Sequence, residues 1–289
     1  MKKISMFFWV LLLLGSGLAV AERYPVEKKE MIQKNLTFPD PKGVKELQVD
    51  NVWGFISVKG YSGAEVQLLV TKTIKAKSQD RLEKAREEVS LDITTEGNTI
   101  DLYVNGPFRC REGRGNSIHG RDPGYQVNYD FELKVPYKTN LYVKTVTDGN
   151  ITLEGVEGDF EVKNVNGKID MKDVAGAGEA HTVNGWVKVV FSRNPKSPCS
   201  FHTVNGDLEI SFPEAPSAEF LLKTFNGDIY SDFPVKYLVS QPGKGERKEG
   251  KYVYQSSRFF SVQSGTGGPE IRLDTLNGDI LLAQKNKAN

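Results

Sequence analysis

Glycine recurs along this chain at a fixed step. Gly149, Gly158, Gly167, Gly176 and Gly185 are each nine residues apart, Gly206 and Gly227 follow at intervals of 21, and Gly278 comes after a longer insertion. Gly54, in VDNVWGFISV, fits the same pattern near the start. Around these glycines the sequence alternates. Val165, Val183, Val204, Phe225 and Leu276 stand two residues before a repeat glycine, and Ile169, Val187, Leu208, Ile229 and Ile280 stand two after. Met171, Val189, Ile210 and Leu282 stand four after, with Ser231 the exception. A period of two over a short run is a half-buried strand, so each copy reads as strand, turn, strand.

The turn chemistry agrees. Asn166-Gly167, Asn184-Gly185, Asn205-Gly206, Asn226-Gly227 and Asn277-Gly278 are pairs suited to positive φ at both central positions, which in an isolated copy would reverse the chain as a hairpin. In a regular repeat they mark a corner where the strand passes from one sheet to the next. Two short strands per coil of 18 residues, or 21 where a loop is longer, wind into a β-solenoid whose equivalent residues stack about 4.8 Å apart. This predicts an asparagine ladder at one corner and a parallel column of Thr182, Thr203, Thr224 and Thr275. It also predicts an aliphatic core in which Val183, Val204 and Phe225 touch in succession. One copy cannot bury its apolar face alone, and stacking supplies the partner.

The expected fold class is therefore all-β: a single-stranded β-helix-like solenoid over residues 141–283, with an insertion at 231–264 and a polar tail at 284–289. Residues 22–43 are polar and proline-containing and read as an extended lead-in. Residues 44–140 read as an amino-terminal β-rich cap carrying one short helix, SQDRLEKAREEV, with Ser78 as N-cap and Leu82, Ala85, Arg86 and Val89 at helical spacing. Strands flank it in VSLDITTEGNTIDLYV, paired around Glu96-Gly97-Asn98, and in YQVNYDFELKVP. Such a cap covers a solenoid end, where a bare strand edge would invite pairing with another chain.

Lys2 and Lys3 precede an apolar run from Met6 to Leu14 and a small-residue stretch ending Ala19-Val20-Ala21. That is the pattern of a secretory signal peptide over residues 1–21, cut after Ala21; retention as an anchor is the alternative. No other segment is apolar enough to cross a bilayer. Removing two lysines and no acids turns 38 basic and 37 acidic residues into 36 and 37. Near neutrality argues against nucleic-acid binding, which depends on clustered Lys and Arg.

With these residues set out, the chain resembles the bacterial putative adhesin family, a β-strand-repeat domain of unknown function in secreted and envelope proteins. The resemblance rests on V-x-G-x-I-x-V at Val52 to Val58, the strand ending Lys134 to Pro136, the repeated T-V-N-G-D-[IL] units, and GTGGPEIRLDTLNGDI at 265–280. It implies architecture and an exported location, and transfers no catalytic residues.

Several side chains are candidates for function. His181 and His202 occupy the same repeat position in neighbouring coils, within reach of a shared metal; Lys163 and Lys223 extend the column, which makes a solvated basic ridge the plainer reading. Asp207 and Asp228, with Asp279, follow Asn-Gly pairs and are candidate calcium ligands, against a simpler role in hydrogen-bonding the turn. No metal and no cofactor is expected. Cys110 and Cys199, the only cysteines, are compatible with one disulfide or with two unpaired thiols. Trp186 and Tyr230 are outward aromatics suited to a binding surface on the solenoid flank, and Trp53 stands at the asparagine position of the first coil. Loops 108–124 and 242–251 are basic and suited to anionic polymers.

A polysaccharide-active β-helix enzyme is the rival class. Its chemistry needs carboxylates converging in a groove, whereas the acids here are scattered among solvent positions, and no G-x-S-x-G, H-E-x-x-H or phosphate-cradling motif is present. The expected function is an exported, non-enzymatic protein presenting an extended surface for binding or adhesion at the cell envelope, periplasmic or on the cell surface, to an envelope glycan or protein. The other alternative is a structural scaffold, self-associating through the carboxy-terminal strand edge at 270–283.

Overall fold

The computed structural model describes residues 23–109, 122–238, 246–248, 251–253 and 259–285. The signal-peptide segment, Cys110 with its disulfide alternative, and most of both basic loops lie outside the described residues. The amino-terminal elements are β1 (Val26–Thr37), β2 (Lys45–Asp50), β3 (Ile56–Tyr61), β4 (Glu65–Ala76), α1 (Gln79–Glu88), β5 (Ser90–Glu96), β6 (Thr99–Asn105) and β7 (Tyr125–Pro136). Short repeat strands follow: β8 (Thr139–Lys144), β9 (Ile151–Glu154), β10 (Phe160–Lys163), β11 (Ile169–Val174), β12 (Gly178–His181), β13 (Val187–Phe191), β14 (Cys199–His202), β15 (Leu208–Phe212), β16 (Ala218–Lys223) and β17 (Ile229–Ser231). The insertion holds β18 (Lys236–Tyr237), β19 (Glu246–Lys248), β20 (Lys251–Val253) and β21 (Phe260–Ser264), and β22 (Glu270–Asp274) and β23 (Ile280–Gln284) complete the order.

Successive repeat strands alternate between two sheets. The ten-stranded sheet runs β1-β4-β7-β3-β9-β11-β13-β15-β23-β17, and the eleven-stranded sheet runs β18-β21-β16-β22-β14-β12-β10-β8-β2-β6-β5. Within the stack the pairs are parallel and in register, as in Ile169 opposite Val187 and Val187 opposite Leu208. Ile56, Ile151, Ile169, Val187, Leu208 and Ile280 form one inward column of fully buried side chains, each at about 0% exposure. Burying each such side chain contributes roughly 1.5–3 kcal/mol, which a lone coil could not collect. The longer coils hold larger fillers: Phe191 stacks on Phe212 at 5.6 Å, and Phe212 meets Phe220 and Phe233 at 6.0 and 6.1 Å. Extra residues in the longer coils widen the section, and phenylalanine fills it.

Both ends of the stack switch to antiparallel pairing. At one end β7, β4 and β1 extend the ten-stranded sheet and β6 and β5 extend the other, with Glu96 opposite Thr99 around Gly97. Helix α1 packs over this end, with Leu82 and Ala85 buried and Ser78 Oγ accepting from the Arg81 amide. At the other end β21 runs antiparallel to β16, and β18 to β21.

The structure departs from the sequence expectations in four places. The coil of β2 and β3 stacks directly on β8 and β9, so the repeat array begins at Lys45, inside the segment read as cap. The lead-in segment contains the twelve-residue strand β1, held along its length by β4. The last coil in sequence is not the last in space: β23 lies between β15 and β17, and β22 between β14 and β16. The carboxy-terminal strand is therefore paired on both sides and offers no edge for self-association. Finally, Val183 and Phe225 are 38% and 62% exposed, so their column lies outside the core, and Val204 is followed by Leu276 rather than Phe225. At the corners of Thr182, Thr203 and Thr275 the inward residue is the threonine, with Asn164 in the same place at the Asn166-Gly167 corner, and the residue after it turns away from the core.

Candidate binding surface

Among the described residues the Asn-Gly corner forms a regular surface, one pair per coil. Its glycines stack with no room between them: a Cβ on Gly167, Gly185, Gly206, Gly278 or Gly227 would overlap the carbonyl oxygen of the adjacent coil's glycine. Gly206 and Gly278 sit at φ of +156° and +153°. The asparagines beside them are not in the positive-φ region, where among described non-glycine residues only Asp148 and Asp173 lie. The pair therefore makes a corner, not a hairpin turn, and glycine is required chiefly by close approach.

Around this spine the side chains form four columns. Hydroxyls lie inside: Thr182 donates to the Gly167 carbonyl at 2.9 Å, Thr203 to Gly185 at 2.8 Å, Thr275 to Gly206 at 3.0 Å and Thr224 to Gly278 at 2.9 Å. Asn164 donates to Gly149 in the equivalent place. Outside runs the amide ladder. Asn184 donates to Asn166, Asn205 to Asn184, Asn277 to Asn205 and Asn226 to Asn277, at 2.7, 2.8, 2.7 and 2.7 Å. On one side of the ladder stand the apolar residues Val165, Val183, Val204, Leu276 and Phe225, of which Leu276 is 46% exposed. This ridge is hidden in the sequence, because counting by two from the glycine assigns those residues to the core.

On the other side stand Lys168, Trp186, Asp207, Asp279 and Asp228. Asp207 Oδ1 accepts from the Asp279 amide and Asp279 Oδ1 from the Asp228 amide, both at 2.8 Å. Asp279 thus separates Asp207 from Asp228, two residues that sequence order makes neighbours. The Asp207 and Asp279 carboxylates are committed to backbone amides, and among the described residues no group of three or more His, Cys, Asp or Glu is arranged to hold a metal ion. Trp186 is half-buried with the Lys168 ammonium 5.3 Å from its ring, and Tyr230 lies on β17, three rungs away along the ten-stranded sheet. The two aromatics do not share one patch.

His181 and His202 do meet, with ring centroids 5.8 Å apart on the outer face of the eleven-stranded sheet. The column through them reads Lys144, Lys163, His181, His202, Asp274, Lys223, so Asp274 stands where the sequence places Lys223. His181 Nε2 is buried without a hydrogen-bond partner, 3.6 Å from a Glu179 carboxylate oxygen. Burial holds the His181 imidazole below its ordinary range, with Glu179 pulling the other way. The shallow depression here, about 500 Å³, is lined by Glu179, Ser200, Glu270, Arg272 and Asp274 as well as the histidines. Cys199 is buried opposite Ile271, and burial pushes its thiol up to about 11. Trp53 meets Phe108 edge-on at 4.8 Å at the amino-terminal end of the corner.

Fold and corner together define a solenoid-like protein of two mixed sheets with a repetitive flank. The chain belongs to the Toastrack DUF4097 family, whose model matches residues 24–283. Among solved structures it is similar to a putative cell adhesion protein from Clostridium sporogenes, at 12% identity and a TM-score of 0.40, covering 90% of this chain and 100% of that one. A putative adhesin from Bacteroides fragilis matches at 12% identity and a TM-score of 0.40, covering 88% and 97%. A putative lipid binding protein from Parabacteroides distasonis matches at 12% identity and a TM-score of 0.26, covering 89% and 96%. No curated protein matches the chain. Among the described residues no helix is long and apolar enough to cross a membrane.

Proposed function

We propose that this is an exported, non-enzymatic β-repeat protein whose Asn-Gly corner binds a protein partner at the cell envelope. The observation that carries the reading is the ridge Val183, Val204, Leu276 and Phe225, one residue per rung beside an amide ladder, of which Val183, Leu276 and Phe225 are exposed and Val204 is half-buried. Exposed apolar side chains aligned in a continuous row mark interaction surfaces, whereas scattered ones do not. The ridge is mainly aliphatic, which favours a protein over a glycan, because sugars are gripped by stacked aromatic faces and Trp186 and Tyr230 are three rungs apart. The flanking Asp207, Asp279 and Asp228 are exposed, so the partner segment carries an aliphatic stripe bordered by Lys or Arg.

Export is supported by the residue pattern of 1–21. A non-enzymatic role is supported by the carboxylates of the corner, which accept from backbone amides of the adjacent coil instead of converging on a cleft. The test is retention of purified protein on isolated envelope fractions before and after protease treatment. Retention lost after protease, and lost in Leu276→Asp with a native circular dichroism spectrum, is the expected result. Retention that survives protease but not glycan stripping overturns the protein partner, and turnover of an envelope polysaccharide overturns the non-enzymatic reading.

A further inference from the structure

A different part of the molecule points to a second copy of this chain. Strand β1 is the outermost strand of the ten-stranded sheet, pairing with β4 from Val26 opposite Ala76 to Thr37 opposite Glu65, with nothing among the described residues on its other side. Its twelve residues make it far longer than the strands that end the carboxy-terminal side, β17 with three and β18 with two. Unpaired backbone donors and acceptors along such a length are a template for another strand. One face of β1 carries Val26, Ile32 and Leu36, which pack against the core yet stay only partly buried, as side chains do when a neighbour is missing.

Charged edge residues ordinarily block indiscriminate pairing, and β1 has Lys28, Lys29 and Lys34. Their placement selects one register for self-pairing. An antiparallel β1 to β1 pair with Ile32 on the twofold axis sets Glu30 opposite Lys34 twice, Lys28 opposite Leu36, Met31 opposite Gln33 and Lys29 opposite Asn35. No like charges face each other. Moving the axis to Met31 sets Lys28 opposite Lys34, and moving it to Gln33 sets Glu30 opposite Leu36 and loses both charge pairs. An axis between Ile32 and Gln33 sets those two residues opposite each other, which turns the core-side residues of one copy to the solvent side of its partner. Lys34 makes no ion pair among the described residues. Glu30 Oε1 lies 2.9 Å from Arg86 Nε and 3.7 Å from Lys28 Nζ, so the carboxylate stands at this edge already bordered by cations of its own copy. Met31, 72% exposed at the middle of the edge, would be covered beside the partner's Gln33.

We infer that two copies join edge to edge through β1, Ile32 on the axis, so that their ten-stranded sheets become one continuous sheet. Such an isologous contact closes on itself and leaves both Asn-Gly corners free, so it stands independently of the binding reading above. The test uses light scattering of the purified protein over a concentration series, with Lys34→Glu, Glu30→Lys and their mixture. The wild type is expected as a dimer. Each single variant opposes like charges twice and should dissociate at least tenfold more readily, and the mixture should dimerise, because both cross-strand pairs are then opposite in sign. Ile32→Cys should form an intermolecular disulfide on mild oxidation, since facing residues on paired antiparallel strands lie within disulfide range. A wild type monomeric at all concentrations, or a dimer insensitive to Lys34→Glu, overturns the inference, as does a mixture that stays monomeric.

Discussion

Thr203 Oγ1 donates to the carbonyl oxygen of Gly185 at 2.8 Å, from a side chain that is fully buried at a corner where the neighbouring coils place Thr182 and Thr275 in the same role. The bond ties the inner edge of one corner to the backbone of the coil before it. Thr203→Val keeps the shape and removes the donor, leaving the Gly185 carbonyl without that partner. A loss of about 1–2 kcal/mol in urea unfolding is expected, with Thr203→Ser losing less. An unchanged midpoint in Thr203→Val would show that the column contributes shape alone.

Two glycines separate close approach from backbone conformation. Gly97, at φ +56° in the β5–β6 turn, has open space around a Cβ, whereas at Gly206 a Cβ would overlap the Gly185 carbonyl. Gly97→Ala should cost about 1–2 kcal/mol from the left-handed conformation alone. Gly206→Ala should cost more, because the stack must open to admit the methyl group, adding about 1–3 kcal/mol of overpacking. Equal melting temperatures for the two variants would contradict this.

The amide ladder has a direction. Asn205 both donates to Asn184 and accepts from Asn277, while Asn166 accepts from Asn184 at the start of the row. Replacing the amide by a carboxylate removes a donor and keeps an acceptor. Asn166→Asp should therefore lie within about 0.5 kcal/mol of the wild type, as surface changes do. Asn205→Asp should cost about 1 kcal/mol through its lost bond. Chemical denaturation of the two variants side by side checks the asymmetry, and a reversed order would refute the donor assignment.

Much of this was legible because it depends on period. Asn-Gly spacing located five of the stacked corners, those of Gly167, Gly185, Gly206, Gly227 and Gly278, the threonines fell in their column, and Ser78 marked the helix start. The exposed ridge was not legible, because the corner resets the alternation: Thr203 points in and Val204 out, although Val204 has the same even offset from Gly206 as the buried Leu208. The order of the last coils was not legible either. Repeat periodicity says that coils stack, and any coil fits on any other with the same Thr, Asn and Gly columns, so sequence order does not fix which neighbours which. What places β23 inside is the insertion, whose antiparallel β21 occupies the outer side of β16.

Histidine titration gives a pH dependence with a definite sign. His181 faces Lys163 and His202 along its column and Glu179 and Glu161 beside it, and burial lowers its pKa in the folded state. The unfolded chain, with a value of about 6.5, then binds the proton more readily, so the folded state is favoured fully above that pH and loses stability as pH falls below it. Denaturation midpoints should decline from about pH 7.5 to about pH 5.5, across that unfolded value, and His181→Gln should flatten the decline. A slope equal in wild type and variant would assign the acid sensitivity elsewhere.

The placement of β23 makes a prediction that a simple end-to-end stack would not. Ile280 and Leu282, both fully buried, pair on one side with Leu208 and Ile210 and on the other with Ile229 and Ser231. Were β23 the outermost rung, its amides would exchange with solvent early, as fraying edges do. In the threaded order, opening β23 requires parting β15 from the coil of β16 and β17, so its amides should exchange as slowly as those of β15 and more slowly than those of β17. Truncation after Gly268 removes β22 and β23 together and leaves two unmatched surfaces facing each other within the core. That variant should lose cooperative unfolding altogether, whereas truncation after Lys285 should leave the melting temperature unchanged. Fast exchange at Ile280 and Leu282, or a folded Gly268 truncation, would contradict the threaded arrangement.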